Sequence, residues 1–205
     1  MRDELNELAS ARADTLRLVA PLAQPQLDFS PRPGQWSIGE VVDHLLLAEE
    51  LYRGEIARLI ELKRSGRRPY LKRSFDDINV SPLHLPDVVL PWLAMPFTVM
   101  NYFVPAIVRE LATEYLPLPM RNPDRATPRS RRRGDELRAG LVASLAETRL
   151  LLTTNAELDF REMISEHPLT GASNVPQILA FLARHERRHQ GQIGRVKADP
   201  RFPVS

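Results

Sequence analysis

The sequence predicts an all-α protein: a four-helix bundle with a long proline-rich, partly helical insertion between the second and third bundle helices. Two observations support this prediction. Four stretches repeat apolar residues with the 3.6-residue period of an amphipathic helix, and no stretch shows the sustained alternation of strands joined by hairpin turns. Four long helices with one long crossover connection form a known bundle topology. We expect a single domain over residues 1–205, with the insertion at about 66–134.

The first helix is predicted from about Asp3 to Ala20, because leucines and a valine recur along one face of this stretch. Pro21 ends it, since proline cannot donate the backbone hydrogen bond that the helix would need. A proline-rich connection follows as far as Gln35. The N-terminus carries charges throughout, where a secretory signal needs an uninterrupted apolar run, so we expect a cytoplasmic protein.

The second helix has a strong start signal. Ser37 is followed three residues later by Glu40, which is the spacing of a capping box. Trp36, just before the cap, can pack on Val41 as a hydrophobic staple. The apolar stripe then continues until Gly66 ends the helix.

The composition changes between about Gly66 and Gly134, where ten of the eighteen prolines fall. The stretch 88–108 has no charge and reaches the length of a membrane span, but its prolines argue against one. We expect this stretch to pack against the protein or a partner subunit. The end of the insertion, RATPRSRRRG, is predicted to be an exposed linker.

The third and fourth helices follow the insertion. The third is predicted from about Asp135 to Asn155, with acidic residues in its first turn, where the helix dipole favours them. A loop containing His167 leads to the fourth helix, predicted from about Val175 to Lys197.

Composition excludes several classes of protein. A hydrophobic content of 43% with 26% charged residues is that of a globular chain and not of a disordered one. The formal net charge of +2 does not by itself indicate a polyanion-binding protein. The absence of cysteine excludes disulfides, thiolate metal ligands and an internal cysteine nucleophile.

The last helix places two histidines on its apolar face. Spacings of three and four residues connect one inward seam: Ile178, Leu182, His185, His189, Gln192 and Val196. Side chains four residues apart in a helix lie about 5–6 Å apart at Cβ, so two imidazoles can reach one divalent ion. His44 lies at the edge of the apolar stripe of the second helix. Three inward histidines predict a metal site with at least one position left for water or substrate.

Other polar residues near this site have two interpretations each. Glu40 lies one turn before His44, so it can accept the second N–H of that ligand or only complete the capping box. Gln192 can orient a bound water molecule or be a buried amide with structural partners. These two are the candidate catalytic residues. His84 and His167 lie in proline-containing loops and are predicted at the surface, with His167 a candidate for lining the mouth of the site.

Three stretches of the sequence, WSIGEVVDHLLLAEE, HPLTG and FLARHERRHQGQI, resemble the DinB/YfiT family of four-helix-bundle metalloproteins. The likeness covers helices two and four well and helices one and three by pattern only, and the insertion lies outside it. In that family a histidine early in the second helix and an H-x3-H pair in the last helix bind one divalent metal, which maps onto His44, His185 and His189. The resemblance further implies nickel or zinc, a homodimer and, where an activity is assigned, transfer of a low-molecular-weight thiol or a related hydrolysis.

Three functions of different classes are compatible with the sequence. The first is a divalent-metal-dependent enzyme acting on a small molecule, a thiol S-transferase or hydrolase; since the chain has no cysteine, a thiol must come from a cosubstrate. The second is a non-catalytic, stress-related metal-binding protein. The third is nucleic-acid binding through the run Arg129–Arg133. That run is short and lacks interleaved aromatic residues, so a solvated linker explains it better.

Overall fold

The computed structural model describes residues 1–73, 126–167 and 171–204. Within these ranges the protein is mostly helical, as the sequence predicts: α1 is Arg2–Val19, α2 Gln24–Asp28, α3 Ile38–Arg64, α4 Gly134–Thr153 and α5 Val175–Lys197. None of these helices combines the length and the apolar character needed to cross a membrane. The predictions for His84 and for the uncharged stretch 88–108 fall outside the described residues.

Capping boxes begin two of the long helices. At the start of α3 the Ser37 hydroxyl accepts from the backbone N–H of Glu40 at 3.2 Å, and the Glu40 carboxylate accepts from the Ser37 N–H at 2.8 Å. The predicted box is therefore confirmed. Asn174 and Gln177 form the same reciprocal pair at the start of α5. Each box satisfies two backbone donors, which fixes where α3 and α5 begin.

The short helix α2 lies inside the predicted proline-rich connection. Pro25 is in its first turn, where a missing N–H has no cost. The helix lies close to the start of α3. A Cβ added at Gly39 would be only 3.2 Å from the carbonyl oxygen of Leu27. A side chain at Gly39 would therefore push α2 away from α3.

A small three-stranded sheet corrects the all-α prediction. Strand β1 is Tyr70–Lys72, β2 is Ile164–His167 and β3 is Gly171–Asn174. The central strand β2 pairs in parallel with β1 and antiparallel with β3. These strands have only three or four residues, too few to show an alternating pattern, and the pairing of β1 with β2 joins segments far apart in the chain.

Four helices pack around two separate apolar clusters. Helix α1 contacts α5 and α4, and α3 contacts the same two helices. The first, the sheet-side cluster, includes Leu8, Ile56, Leu59, Leu152, Met163, Ile178, Leu179 and Leu182. The second, the α2-side cluster, includes Val19, Leu27, Ile38, Val41, Leu137, Leu141, Ile193 and Val196. Each of the four helices contributes to both clusters, so the core is divided across its length.

A layer of buried polar side chains separates the two clusters. This polar layer consists of Arg12, Thr15, Glu49, Ser144, Thr148 and Glu186. In each helix these residues fall between the residues of one apolar cluster and those of the other. The sequence pattern did not predict this layer, although Arg12 lies one turn from the inward Leu8 and Glu186 one turn from the inward Leu182.

Arg12 is the centre of the polar layer and is only 2% exposed. Its Nε donates to Glu186 at 2.8 Å, its Nη2 donates to Glu49 at 2.8 Å, and its Nη1 donates to the carbonyl oxygen of Leu141 at 2.6 Å. Glu49 also accepts hydrogen bonds of 2.8 Å from two hydroxyls on α4, those of Ser144 and Thr148. One guanidinium thus connects α1 with α3, α4 and α5.

Replacing Arg12 with Ala should destabilise the protein by about 3–5 kcal/mol, because two buried carboxylates would lose their cation. Urea denaturation followed by circular dichroism measures this free energy of unfolding. Arg17→Ala is the matched control on the same helix, since Arg17 is 77% exposed and should contribute less than about 0.5 kcal/mol. Equal stability losses in the two variants would contradict the structural role of the polar layer.

Candidate metal centre

Three histidine side chains meet between α3 and α5. His44 comes from the second turn of α3, while His185 and His189 lie one turn apart on α5. Nε2 of His185 is 3.1 Å from Nε2 of His44 and 3.0 Å from Nε2 of His189. One ring nitrogen from each of the three residues lies within 4.8 Å of the others. The structure therefore brings together the three residues that the sequence singled out.

The spacing of these nitrogens suits a shared metal ion. Two imidazole nitrogens bound at about 2.0–2.1 Å to one ion lie roughly 3 Å apart, depending on the coordination angle. The observed separations of 3.0 and 3.1 Å are in this range. A set of three imidazoles also suits divalent zinc, nickel or copper better than the oxygen-preferring magnesium and calcium. The three histidines could hold a transition-metal ion.

Hydrogen bonds at the other ring nitrogen orient two of the histidines. Nδ1 of His44 donates to the carbonyl oxygen of Ala126 at 2.8 Å, and Nδ1 of His189 donates to the side-chain oxygen of Gln192 at 2.9 Å. A carbonyl oxygen can only accept, so Nδ1 carries the proton in both rings. Nε2 of each ring is then left as a free lone pair that faces the centre.

The Ala126 carbonyl is held near the site by Asp43, the residue before His44. Asp43 is fully buried and accepts from the backbone N–H of Arg129 at 2.7 Å, from the Arg129 guanidinium at 3.0 Å and from Arg132 at 2.7 Å. Burial acts to raise the pKa of Asp43, but these hydrogen bonds outweigh it and the pKa is lowered. The carboxylate is therefore charged at neutral pH and clamps the segment 126–132 onto α3.

Most of residues 126–134 are exposed, as predicted for a linker, but ion pairs hold the segment against α3. Arg129 and Arg132 bind Asp43, and Arg133 pairs with Asp135. These ion pairs have no signature in the sequence, because Asp43 resembles any other charged residue of an amphipathic helix. Two arginines of the run that suggested nucleic-acid binding are thus paired with an acidic side chain of α3.

The surroundings of the three rings favour their neutral, metal-binding form. Burial lowers the pKa of His44, and it lowers that of His185 well below the ordinary value. Burial, helped by the neighbouring His44 ring and by the charges of Arg188 and Arg195, lowers the pKa of His189 to about 4. All three imidazoles are neutral at pH 7, so no proton competes with a cation for them.

Aromatic side chains form part of the wall of the site. The Trp36 ring lies 4.9 Å from the His44 ring and 6.3 Å from that of His189, measured between ring centroids. On the other side the Phe181 ring lies 5.5 Å from His185 and 5.4 Å from Tyr52. The sequence predicted a role for Trp36 only at the start of the helix, because nothing in it indicates that the ring lies near His44.

The remaining candidate residues occupy other positions. Both carboxylate oxygens of Glu40 have partners, the Ser37 N–H at 2.8 Å and the Ser130 hydroxyl at 2.6 Å, and His44 donates to Ala126 in its place. Gln192 contacts the His189 ring directly. His167 ends β2 and is partly buried, so it is not the loop surface residue that we predicted. It does not belong to the histidine cluster.

The mostly helical fold and the three-histidine cluster together define a helical protein with a candidate metal centre. Comparison with protein families agrees with this class. The model of the DinB superfamily matches residues 7–193, so the chain belongs to that superfamily. Neither the curated proteins nor the solved structures that were searched gave a significant match.

The low pKa values of the histidines predict how the metal-free protein responds to acid. Because the folded-state pKa of each ring lies below its ordinary value of 6.5, the unfolded chain binds more protons at acidic pH. The free energy of unfolding should therefore decrease as pH falls from about 6.5 toward 4, which urea denaturation at several pH values can measure. A His185→Phe variant should show a smaller decrease. An equal decrease in both proteins would contradict neutral burial of His185.

The position of Trp36 predicts a spectroscopic signal for metal binding. Adding Ni²⁺ or Co²⁺ to metal-free protein should quench tryptophan fluorescence, because the Trp36 ring is 4.9 Å from the ring of the expected ligand His44. The control is Trp36→Phe, which retains Trp92 as its only tryptophan. Quenching of equal size in this variant would show that the metal binds elsewhere.

Proposed function

We propose that the protein binds one divalent transition metal through His44, His185 and His189 and uses it as an enzyme of the thiol S-transferase or hydrolase type. The observation that supports this most directly is the approach of the three Nε2 atoms, at 3.0 and 3.1 Å, from helices that are fixed by buried contacts. Nickel or zinc is the proposed metal, since both accept imidazole ligands and the family resemblance points to them. The substrate is proposed to be a small molecule.

Three neutral imidazole ligands leave a bound ion its full charge, which makes a water or thiol ligand more acidic, and three ligands leave coordination positions open for it. The residues of the chain prepare this chemistry. Ala126 and Gln192 hold two of the rings in the metal-binding tautomer, and the packed side chains of Trp36 and Phe181 keep water from much of the ring surface. A thiol must come from a cosubstrate, because the chain has no cysteine.

The second candidate is a non-catalytic, stress-related metal-binding protein. The same three ligands support it, and it differs from the first only in whether a substrate reaches the ion. Nucleic-acid binding through Arg129–Arg133 has less support, because Arg129, Arg132 and Arg133 already pair with acidic side chains.

Further proposals concern the whole chain. We propose that the four long helices form the four-helix bundle implied by the resemblance, in a single domain over residues 1–205 with an insertion at about 66–134. The packing of α1 and α3 against both α4 and α5 supports this topology. A homodimer and a cytoplasmic location are proposals that rest on the family resemblance and on the sequence.

Replacing His185 with Ala should abolish metal binding, because the Nε2 of His185 lies 3.1 Å from that of His44 and 3.0 Å from that of His189. The measurement is the metal content of protein purified without an affinity tag and then dialysed, determined by mass spectrometry. We expect about one metal ion per chain in the native protein. The matched control is His167→Ala, which removes a partly buried histidine outside the cluster and should keep the metal. Full metal content in His185→Ala would refute the ligand assignment.

Adding a small thiol to the Co²⁺-substituted protein separates the enzyme from the passive binder. An open coordination position predicts that the thiol binds the metal and produces a sulfur-to-metal charge-transfer band. The apparent affinity of the thiol should rise with pH, since the thiol loses its proton on binding. Absorption spectroscopy measures it, and Co²⁺-loaded Gln192→Ala tests whether that amide closes the position. An unchanged spectrum in both proteins would exclude thiol transfer and leave the metal-binding alternative.

A further inference from the structure

The three ligands differ in what their second ring nitrogen contacts. Nδ1 of His44 and Nδ1 of His189 have acceptors, the Ala126 carbonyl and the Gln192 side chain. Nδ1 of His185 is buried and has no hydrogen-bond partner among the residues that the structure describes. Metal-binding histidines almost always donate this second N–H, and a buried donor without an acceptor is unfavourable. As a metal ligand His185 therefore needs an acceptor that none of the described residues supplies.

A small cavity lies beside His185. Its volume is about 10 Å³, and its lining includes apolar side chains such as Ala48 together with the charged groups of Arg12, Glu49 and Glu186. The Nε2 edge of His185 faces His44 and His189, and neither of these lines the cavity. Nδ1 lies on the far side of the ring from Nε2, so it points away from His44 and His189, and His185 is one of the residues that line the cavity. A space of roughly this volume accommodates one water molecule if polar partners surround it.

The two carboxylates that line the cavity can accept further hydrogen bonds. A carboxylate has about four lone-pair positions. Glu49 already accepts three hydrogen bonds and Glu186 two, both of the latter from Arg12. With one guanidinium facing two carboxylates, the formal charge of this group is −1. Glu186 thus has more free acceptor positions than Glu49, and its negative charge near His185 favours a bound cation.

We infer that the cavity binds one ordered water molecule, which accepts the Nδ1–H of His185 and donates to the carboxylate of Glu186. The inference rests on the proposed function, because it takes His185 as a metal ligand. The water gives His185 the acceptor that Ala126 and Gln192 give the other two ligands. Glu186 is then a positioning residue that acts on the metal through the water and the imidazole, and it connects the ion site to the polar layer.

The test uses the full-length protein, labelled with ¹⁵N-histidine and loaded with Zn²⁺. We expect an NMR cross peak between the His185 Nδ1–H and bound water. Ala48→Val fills the cavity, so it should remove this cross peak and lower the zinc affinity by about 10–100-fold, as losing the outer partner of a ligand does. The matched control is Ala183→Val, which overpacks a buried alanine of α5 that does not line the cavity. It should keep the cross peak and the affinity.

Three results would overturn the inference, and they are distinguishable. If the native protein binds no zinc, the proposed function is wrong and the inference falls with it. If it binds one zinc per chain but the Nδ1–H shows cross peaks only to protein protons, the water alone is wrong. If Ala48→Val binds zinc as tightly as the native protein does, the water is likewise wrong. Should that variant not fold, the spectrum of the native protein decides the question by itself.

Discussion

The structure depends most on the hydrogen bonds of one buried guanidinium. Arg12 contacts groups on α3, α4 and α5 at once, and each contact is with a charged or backbone oxygen that water does not reach. Sliding any of these helices by one turn, about 5.4 Å, would leave a buried charge without its partner. Apolar packing tolerates such shifts far better. The Arg12 contacts therefore set the axial register of the helices. This register places His44 of α3 next to the two histidines of α5.

A second constraint comes from two neighbouring residues on α3. His44 provides a ring nitrogen to the centre, and Asp43 binds the segment whose carbonyl orients that ring. The two side chains leave the helix in different directions because successive residues are about 100° apart. A single turn of α3 thus positions both the ligand and its support. The support comes from Ala126, which is 82 residues away in sequence, so the site is complete only when a distant part of the chain has docked.

The sequence predicted what depends on local spacing. The capping box at Ser37 and the shared face of His185 and His189 follow from offsets of three and four residues, and the structure contains both. The sequence did not predict contacts between residues that are far apart along the chain. Strands of three or four residues have no readable period, a backbone carbonyl such as that of Ala126 has no sequence signature, and Arg12 resembles any charged residue of a helix until its two carboxylates are placed around it.

The division of the core into two apolar clusters has a consequence for how this sequence can vary. The sheet-side cluster and the α2-side cluster are separated by the polar layer, and three of its residues, Arg12, Glu49 and Glu186, line a cavity together with His185. A change of volume in either cluster is absorbed mainly by its own neighbours, because apolar packing has no preferred partner and accepts compensating substitutions. Related chains can therefore substitute apolar core residues independently in the two clusters, while the few polar residues between the clusters maintain the geometry of the site.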